Sequence, residues 1–221
     1  MDRAEIRYDA YGNLRSNGIM SATGTIHVVD DDPAVRDSLR MLLETSGYVV
    51  RAFDSAGTFL GSRPQGIGCV LTDVRMPDID GLELLRRLRD QETRLPVIVM
   101  TGQGDIAIAV QAMKAGAVDF LEKPFGDAAL FEAITRALEQ SERQWEVAAT
   151  SAEAASRLGS LTPREREVFD LLVTGLSNKA IANTLGGSPR TIEVHRARVF
   201  EKLKANSLPD LVRLLLAAGA D

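Results

Sequence analysis

Residues 67–73 read Ile67-Gly68-Cys69-Val70-Leu71-Thr72-Asp73, an apolar run that stops on an acid. The run has no polar alternation, so it reads as a strand covered on both faces. The pattern repeats on either side. Upstream, Thr25–Val29 is rich in β-formers and ends in Asp30-Asp31-Asp32, and residues 48–52 follow as a second strand. Downstream, residues 96–100 and 118–121 complete a set of five. Helical patterns separate them. Pro33 opens a helix with an apolar stripe of Val35, Leu39, Leu42 and Leu43, and Gly47 ends it. Residues 55–60 form a short helix. Residues 82–88 place Leu82, Leu85 and Leu88 inward and Arg86, Arg87 and Arg89 outward. Ile106, Ala109, Val110 and Met113 mark a fourth helix; Leu130, Phe131, Ile134, Ala137 and Leu138 mark a fifth. Five strands alternating with five helices predict an α/β fold, a five-stranded doubly wound parallel sheet with right-handed crossovers.

In such sheets ligands bind outside the carboxyl ends of the strands, at the switch in strand order. Strand one ends at Asp30-Asp31 and strand three at Thr72-Asp73. If those strands are neighbours, three carboxylates converge, and their repulsion calls for a cation. An all-oxygen donor set favours Mg²⁺. Strand four ends at Thr101-Gly102 and adds a hydroxyl; strand five runs into Glu122-Lys123-Pro124 and adds an ammonium. A metal, a hydroxyl and a lysine around one carboxylate make a phosphoryl-transfer site, with the central carboxylate as nucleophile. Each residue alone has a plainer reading. Asp32, just before Pro33, reads as a helix N-cap, and a lysine before proline is commonly a solvated loop residue. Their joint placement at successive strand ends favours the site.

Residues 24–140 resemble a CheY-like receiver domain. The resemblance rests on Val28-Val29-Asp30-Asp31, on Asp73-Val74-Arg75-Met76-Pro77-Asp78-Ile79-Asp80-Gly81, on Thr101-Gly102 and on Lys123-Pro124-Phe125. It implies that Asp73 accepts a phosphoryl group from a sensor histidine kinase and loses it by slow autodephosphorylation. It implies that Asp30, Asp31, Asp73 and the Arg75 carbonyl hold Mg²⁺. Thr101 would bond the phosphoryl group, Lys123 would pair with it, and Lys123-Pro124 would be cis. Phe120 would swing inward behind Thr101; its plainer role is core packing in strand five. Asp32 stands where many relatives have Glu.

The C-terminal quarter is all helical in pattern. Thr162-Pro163-Arg164-Glu165 carries a capping residue, proline at the first helical position and Glu three after the cap, which is a capping box. Val168, Leu171 and Leu172 line that helix, and Gly175 ends it. Ser177 caps a second helix with Ala180, Ile181 and Leu185 inward. Gly186-Gly187 makes a turn, and Ser188-Pro189 starts a third helix reaching about residue 203. Two short helices joined by a glycine turn predict a helix-turn-helix. On the third helix, Ile192, Val199 and Leu203 share one face, while Arg190, Val194, Ala197, Arg198 and Glu201 fall opposite. Basic and small residues suit a helix that reads base edges. Thr191, His195 and Lys202 lie on its flanks, where phosphates run, and Lys179 on the preceding helix is a further phosphate contact. His195 can equally pack half-buried, and Arg196 can pair with Glu165 or Glu167. A fourth helix, residues 209–218, carries Leu211, Val212, Leu214, Leu215 and Leu216, apolar enough to suggest a dimer contact.

This part resembles the LuxR/FixJ-type helix-turn-helix, on residues 161–168 and on Ser188-Pro189-Arg190-Thr191-Ile192-Glu193-Val194-His195-Arg196. With Thr101-Gly102-Gln103-Gly104-Asp105 and Ser207-Leu208-Pro209, the likeness is to the FixJ branch. It implies a two-component response regulator that dimerises on phosphorylation, through the face of the fourth helix and fifth strand, and binds a double-stranded DNA operator. RNA polymerase is a further candidate partner. The expected organisation is a flexible extension over residues 1–23, a receiver over 24–140, a helical linker over 141–158 and the DNA-binding domain over 159–221. Met20 offers an alternative start of translation; a partner-binding arm with Tyr8, Tyr11 and Leu14 is the rival reading of the leader.

Composition fits this organisation. The chain has 221 residues, 45% hydrophobic and 26% charged, enough apolar content for two modest cores and too much for a disordered chain. One cysteine, Cys69, excludes an intrachain disulfide and a cysteine-based zinc site. No apolar run approaches the roughly 18 residues of a membrane span, and no signal-peptide core is present, so the expectation is a cytoplasmic protein without membrane contact. The net charge of −5 hides a split. Residues 160–221 hold nine Lys and Arg against seven Asp and Glu, while residues 1–159 hold 17 against 24. The positive balance sits where DNA contact is expected. Two rival functions are weaker. A phosphohydrolase would need an acid two residues after Asp73, where Arg75 stands, and a protein-binding helix-turn-helix would not need the Arg190 and Arg198 face.

Overall fold

The structure, a computed structural model, describes residues 7–8, 14–15, 24–91, 93, 95–102 and 106–219. Met20, Tyr11 and Gln103-Gly104-Asp105 lie outside the described residues. Among the described residues of the leader, β1 (Arg7–Tyr8) pairs antiparallel with β2 (Leu14–Arg15). The chain divides into two compact units, residues 1–145 and 146–221.

The first unit is the doubly wound sheet. Strands β3 (Thr25–Val29), β4 (Val49–Phe53), β5 (Gly68–Asp73), β6 (Val97–Thr101) and β7 (Asp119–Glu122) lie in the order β4-β3-β5-β6-β7, all parallel. Every residue of β5 is buried, as its unbroken apolar run predicts. Helices α1 (Pro33–Thr45), α2 (Ala56–Gly61), α3 (Gly81–Asp90), α4 (Ile106–Lys114) and α5 (Asp127–Gly159) cover the sheet. One core packs Val29, Val70, Val97 and Val99 against Phe59, Leu84, Leu85 and Leu88; the other packs Ile26, Cys69, Leu71 and Ile98 against Leu39, Leu43, Leu130 and Ile134. Burial pushes the Cys69 thiol up to about 12, which leaves it unreactive.

Four of the five strands start one residue later than their side chains suggest. The hydrogen-bond ladder sets the boundary. Pro96 illustrates this: its carbonyl accepts from the Val70 N–H, but it has no N–H to donate, so β6 opens at Val97. Helix α4 differs in another way. Its core side is Ala109 and Ala112, while Ile106, Val110 and Met113 are exposed. Helix α5 runs 33 residues to Gly159, the break expected from sequence.

The second unit is helical: α6 (Pro163–Val173), α7 (Asn178–Leu185), α8 (Pro189–Leu203) and α9 (Leu208–Ala217). Val168, Phe169, Leu172, Ile181, Ile192, Val199, Leu203 and Leu211 form its core, joined by Leu158 from the end of α5. The α7–α8 turn needs Gly186, whose φ of 66° is left-handed and costly for a side chain. Most of the apolar surface of α9 has an internal use: Leu211 is buried, and Leu208, Leu214 and Leu215 pack on the same core. Leu216 alone among these is strongly exposed, at 67%.

Candidate functional site

The switch in strand order brings β3 beside β5, with Val29 opposite Thr72. Asp30 and Asp73 therefore emerge at one sheet edge, both nearly buried, at 1% and 9% exposure. Lys123, just past β7, bridges them. Its Nζ lies 2.5 Å from Asp73 Oδ1 and 2.9 Å from Asp30 Oδ2. Lys123-Pro124 is cis. Burial acts to lower the Lys123 pKa, but its hydrogen bonds and charge attraction to Asp73 and Asp30 outweigh it and hold the pKa above the ordinary value. The ammonium thus stays charged at neutral pH.

Backbone groups fix both carboxylates. Asp73 Oδ2 accepts from the Arg75 N–H at 2.5 Å, and Asp30 Oδ1 accepts from the Asp32 N–H at 2.9 Å. Arg36 donates to the Asp30 carbonyl. The nearby acids are otherwise engaged: Asp32 and Asp80 cap α1 and α3, accepting from the Ala34 and Glu83 N–H groups. Gly81 is required by close approach, since a Cβ there would lie 2.3 Å from the Asp73 carbonyl oxygen. Its N–H bonds the Val74 carbonyl, closing the loop under Asp73.

Asp30 and Asp73 are joined through Lys123, and the third acid expected at this edge, Asp31, has no such bridge. Asp31 is exposed, and among the described residues no group of three or more His, Cys, Asp or Glu is arranged to hold a metal. The Lys123 ammonium lies between Asp30 and Asp73 and neutralises part of their charge, while Asp31, the residue after Asp30, faces solvent. The pair with this lysine still carries one net negative charge, and all its acidic donors are oxygens, which suits a hard divalent cation. Thr101 ends β6, is buried, and has its hydroxyl 3.5 Å from the Gly102 carbonyl. Phe120 is 41% exposed on β7, so the core-packing role does not hold. It lines a groove of about 480 Å³ with Thr101, Ile106, Val110 and Met113, rimmed by Lys114 and Glu122.

In the helical unit, Ser188 caps α8 by accepting from the Thr191 N–H. Arg190, Thr191, Val194, Ala197, Arg198 and Glu201 are exposed along one side, opposite buried Ile192, Val199 and Leu203. Lys179 on α7 is exposed, and His195 is half-buried with its Nδ1 enclosed. Two residues depart from expectation. Lys202 is held at 2.6 Å by buried Glu165 and at 3.3 Å by the Ser160 carbonyl, so its ammonium already has acceptors within the unit. Arg196 pairs with neither Glu165 nor Glu167; it donates to Asn178 Oδ1 at 3.1 Å and stacks over Phe200. Glu165 prefers Lys202 because its carboxylate already closes the capping box on the Thr162 N–H at 2.9 Å, facing the last turn of α8. Sequence reasoning singled out Glu165 as a cap and as a partner for Arg196, and gave Arg164 no role; i,i+3 spacing reveals caps but does not choose among partners on other helices.

Two family models match: the response regulator receiver domain over residues 26–135, and the luxR family of bacterial regulatory proteins over residues 159–215. The transcriptional regulatory protein FixJ of Bradyrhizobium diazoefficiens is 51% identical over 201 residues, covering 90% of this chain and 98% of its own. The chain belongs to the FixJ family of response regulators. The FixJ of Rhizobium meliloti is 50% identical over 196 residues, covering 88% of this chain and 96% of its own. Among solved structures, response regulator StyR matches with a TM-score of 0.79 at 41% identity, covering 88% of this chain and 98% of its own. Full-length FixJ from B. japonicum matches with a TM-score of 0.55 at 52% identity, covering 89% and 97%. As a FixJ-family regulator the protein is a two-component transcription factor and not a classical enzyme; its receiver and LuxR-type domains imply a sensor kinase and DNA as partners. Among the described residues no helix is long and apolar enough to cross a membrane.

Glu165 makes this family member's DNA-binding unit sensitive to acid. The Lys202 hydrogen bond first, then the Thr162 N–H, hold its pKa at about 2, below the ordinary 4.5. A depressed carboxylate pKa stabilises the fold above pH 4.5, and that stabilisation is lost as pH falls toward 2. The shift sets a ceiling of about 3 kcal/mol, reduced to about 1–2 kcal/mol because Lys202 is partly exposed. Glu165→Gln is therefore expected to lower stability by that amount at pH 7 and to flatten the pH dependence of unfolding between pH 4.5 and 2, measured by denaturant titration. A parallel pH profile in wild type and variant would refute the assignment.

Proposed function

We propose that Asp73 is the phosphoacceptor and that its phosphorylation controls sequence-specific DNA binding by α8. The observation that carries this reading is the buried Asp30–Lys123–Asp73 cluster at the carboxyl edge of the sheet. An Asp73 carboxylate oxygen bonds to phosphorus as the bond from phosphorus to the kinase's histidine nitrogen breaks. Lys123 is already within bonding distance of Asp73 and pairs with the added negative charge. Mg²⁺ would be held by Asp30, Asp31, Asp73 and the Arg75 carbonyl. When bound, it neutralises charge on the transferring group. Slow autodephosphorylation resets the switch.

Thr101 then bonds the phosphoryl group, and Phe120, starting from its exposed position, turns in behind it. That movement reshapes the α4–β7 groove, whose exposed Ile106, Val110 and Met113 suit a dimer contact. Phosphorylation needs only to bias an existing equilibrium by a few kcal/mol. In the dimer, Arg190, Val194 and Arg198 read base edges, and Thr191, His195 and Lys179 contact phosphates. Lys202, bound to Glu165, leaves this set. The domains are taken as the receiver over 24–140 and the DNA-binding domain over 159–221, with RNA polymerase as a further partner.

The test is selection of genomic fragments by purified protein, with and without beryllofluoride and Mg²⁺ as a phosphoryl mimic. Enrichment of a two-fold symmetric site only with the mimic is expected. Equal enrichment in both arms would sink phosphate control, and no enrichment in either would sink DNA binding. On the selected site, Arg198→Ala is expected to weaken binding about tenfold or more and relax the sequence preference at the base pair it reads. Unchanged preference in a competition assay would remove Arg198 from the base-reading face.

A further inference from the structure

The first turn of α6 reaches both the end of α7, where the chain turns into α8, and the last turn of α8. At the entrance, Arg164 Nη2 donates to the Leu185 carbonyl at 2.7 Å, and its Nη1 pairs with Glu167 at 2.7 Å. Leu185 is the last residue of α7, and its carbonyl is one of the groups a helix end leaves without an internal partner. A guanidinium there also meets the negative end of the helix dipole. The bond fixes the Gly186-Gly187 turn that feeds Ser188 and α8. At the exit, Lys202 in the last turn of α8 bonds Glu165 Oε2 and the Ser160 carbonyl. Glu165 is itself fixed by the Thr162 N–H. From Pro189 to Lys202, α8 itself runs about 20 Å at 1.5 Å of rise per residue. Adjacent residues of one turn therefore hold the end of α7 that leads into α8 and the last turn of α8 itself.

We propose that Arg164 and Lys202 are positioning residues for base recognition. Together with Glu165 they set the tilt of α8, and hence where Arg190, Val194 and Arg198 meet the groove. A helix pinned at one end can pivot, and a pivot displaces base-edge contacts more than it displaces diffuse phosphate contacts. The clamp therefore governs specificity more than overall affinity. This inference rests on the DNA-binding reading for its consequence but not for its geometry.

The test uses the full chain with Mg²⁺ and beryllofluoride, as Arg164→Gln, Lys202→Met and Lys202→Arg. Two readouts are taken: amide hydrogen exchange over residues 186–204, and affinity for the selected genomic site and for a scrambled duplex across salt concentrations. Arg164→Gln and Lys202→Met are each expected to raise exchange in that segment about tenfold, the effect of losing one charge-assisted hydrogen bond. The ratio of specific to scrambled affinity is expected to fall about tenfold, with the salt slope unchanged. Lys202→Arg keeps the pair with Glu165 and is expected to retain the wild-type ratio. Unchanged exchange overturns the clamp whether or not DNA binds. A salt slope reduced by about one with an unchanged ratio also overturns it, because that marks a direct phosphate contact. Failure of the wild type to prefer any fragment sinks the DNA reading alone, and the exchange data still judge the clamp. Should Lys202→Met fail to fold, Arg164→Gln, whose side chain is partly exposed, carries the same comparison.

Discussion

The Asp73→Asn chain takes up no phosphoryl group from acetyl phosphate or a cognate kinase, and its labelling falls to the background of the assay. Asparagine matches aspartate in shape but is a neutral, poor nucleophile. The substitution leaves the rest of the cluster in place. Lys123 keeps Asp30 as an ionic partner at 2.9 Å, and the amide oxygen can still accept one hydrogen bond. The ion pair with Lys123 becomes a bond from a charged donor to a neutral oxygen, and the Arg75 N–H loses its carboxylate acceptor, a change of about 1–3 kcal/mol. The receiver is therefore expected to stay folded, so loss of labelling reports chemistry and not unfolding. Chelation of Mg²⁺ with EDTA is expected to suppress labelling of the wild type as well. Labelling of Asp73→Asn at the wild-type rate would place the acceptor elsewhere.

Leu158→Ala is expected to cost the DNA-binding unit about 3 kcal/mol and to lower its melting temperature on the order of 15 °C. By sequence, Leu158 ends a linker rich in Ala, Glu, Gln and Ser, where such a change would matter by less than about 0.5 kcal/mol. In the structure it is 6% exposed and packs in one core with Val168, Phe169, Leu172 and Leu211. The loss is large against the roughly 4–11 kcal/mol that a unit of this size has in total. Calorimetry of the full chain should show the transition of the helical unit moving while that of the receiver stays. A fragment beginning at residue 159 lacks this side chain and should be markedly less stable than one beginning at 146. Equal melting of wild type and Leu158→Ala would return residue 158 to the solvent.

The α/β alternation was legible because burial on both faces leaves unbroken apolar runs such as residues 69–71, and because caps and turns are local. Asp32, Ser55, Asp80, Thr162, Ser177 and Ser188 each accept from a backbone N–H two or three residues onward, a distance that sequence spacing states directly. The outward face of α8 was legible for the same reason, since helical periodicity assigns Ile192 and Arg198 to opposite sides. The partners of long charged side chains were not. Lys202 and Arg196 lie on the flanks of α8, where the same helical phase admits a phosphate, a neighbouring carboxylate or an aromatic ring. The packing of α6 against α8 chose Glu165 for one, while α7 supplied Asn178 for the other, which also lies over Phe200 of its own helix.

Sequence by itself determined the order of the elements, the strand ends on which Asp30, Asp73, Thr101 and Lys123 stand, and the two domain types, because these follow from local periodicity and capping. Tertiary structure decided which of those groups meet. It brought β3 beside β5, placed the Lys123 ammonium between two carboxylates and left Asp31 exposed. It turned Phe120 toward solvent and gave Leu158 to the helical core. Each of those outcomes depends on contacts between residues far apart in the chain, whose energies are fixed by burial and charge after the elements have packed.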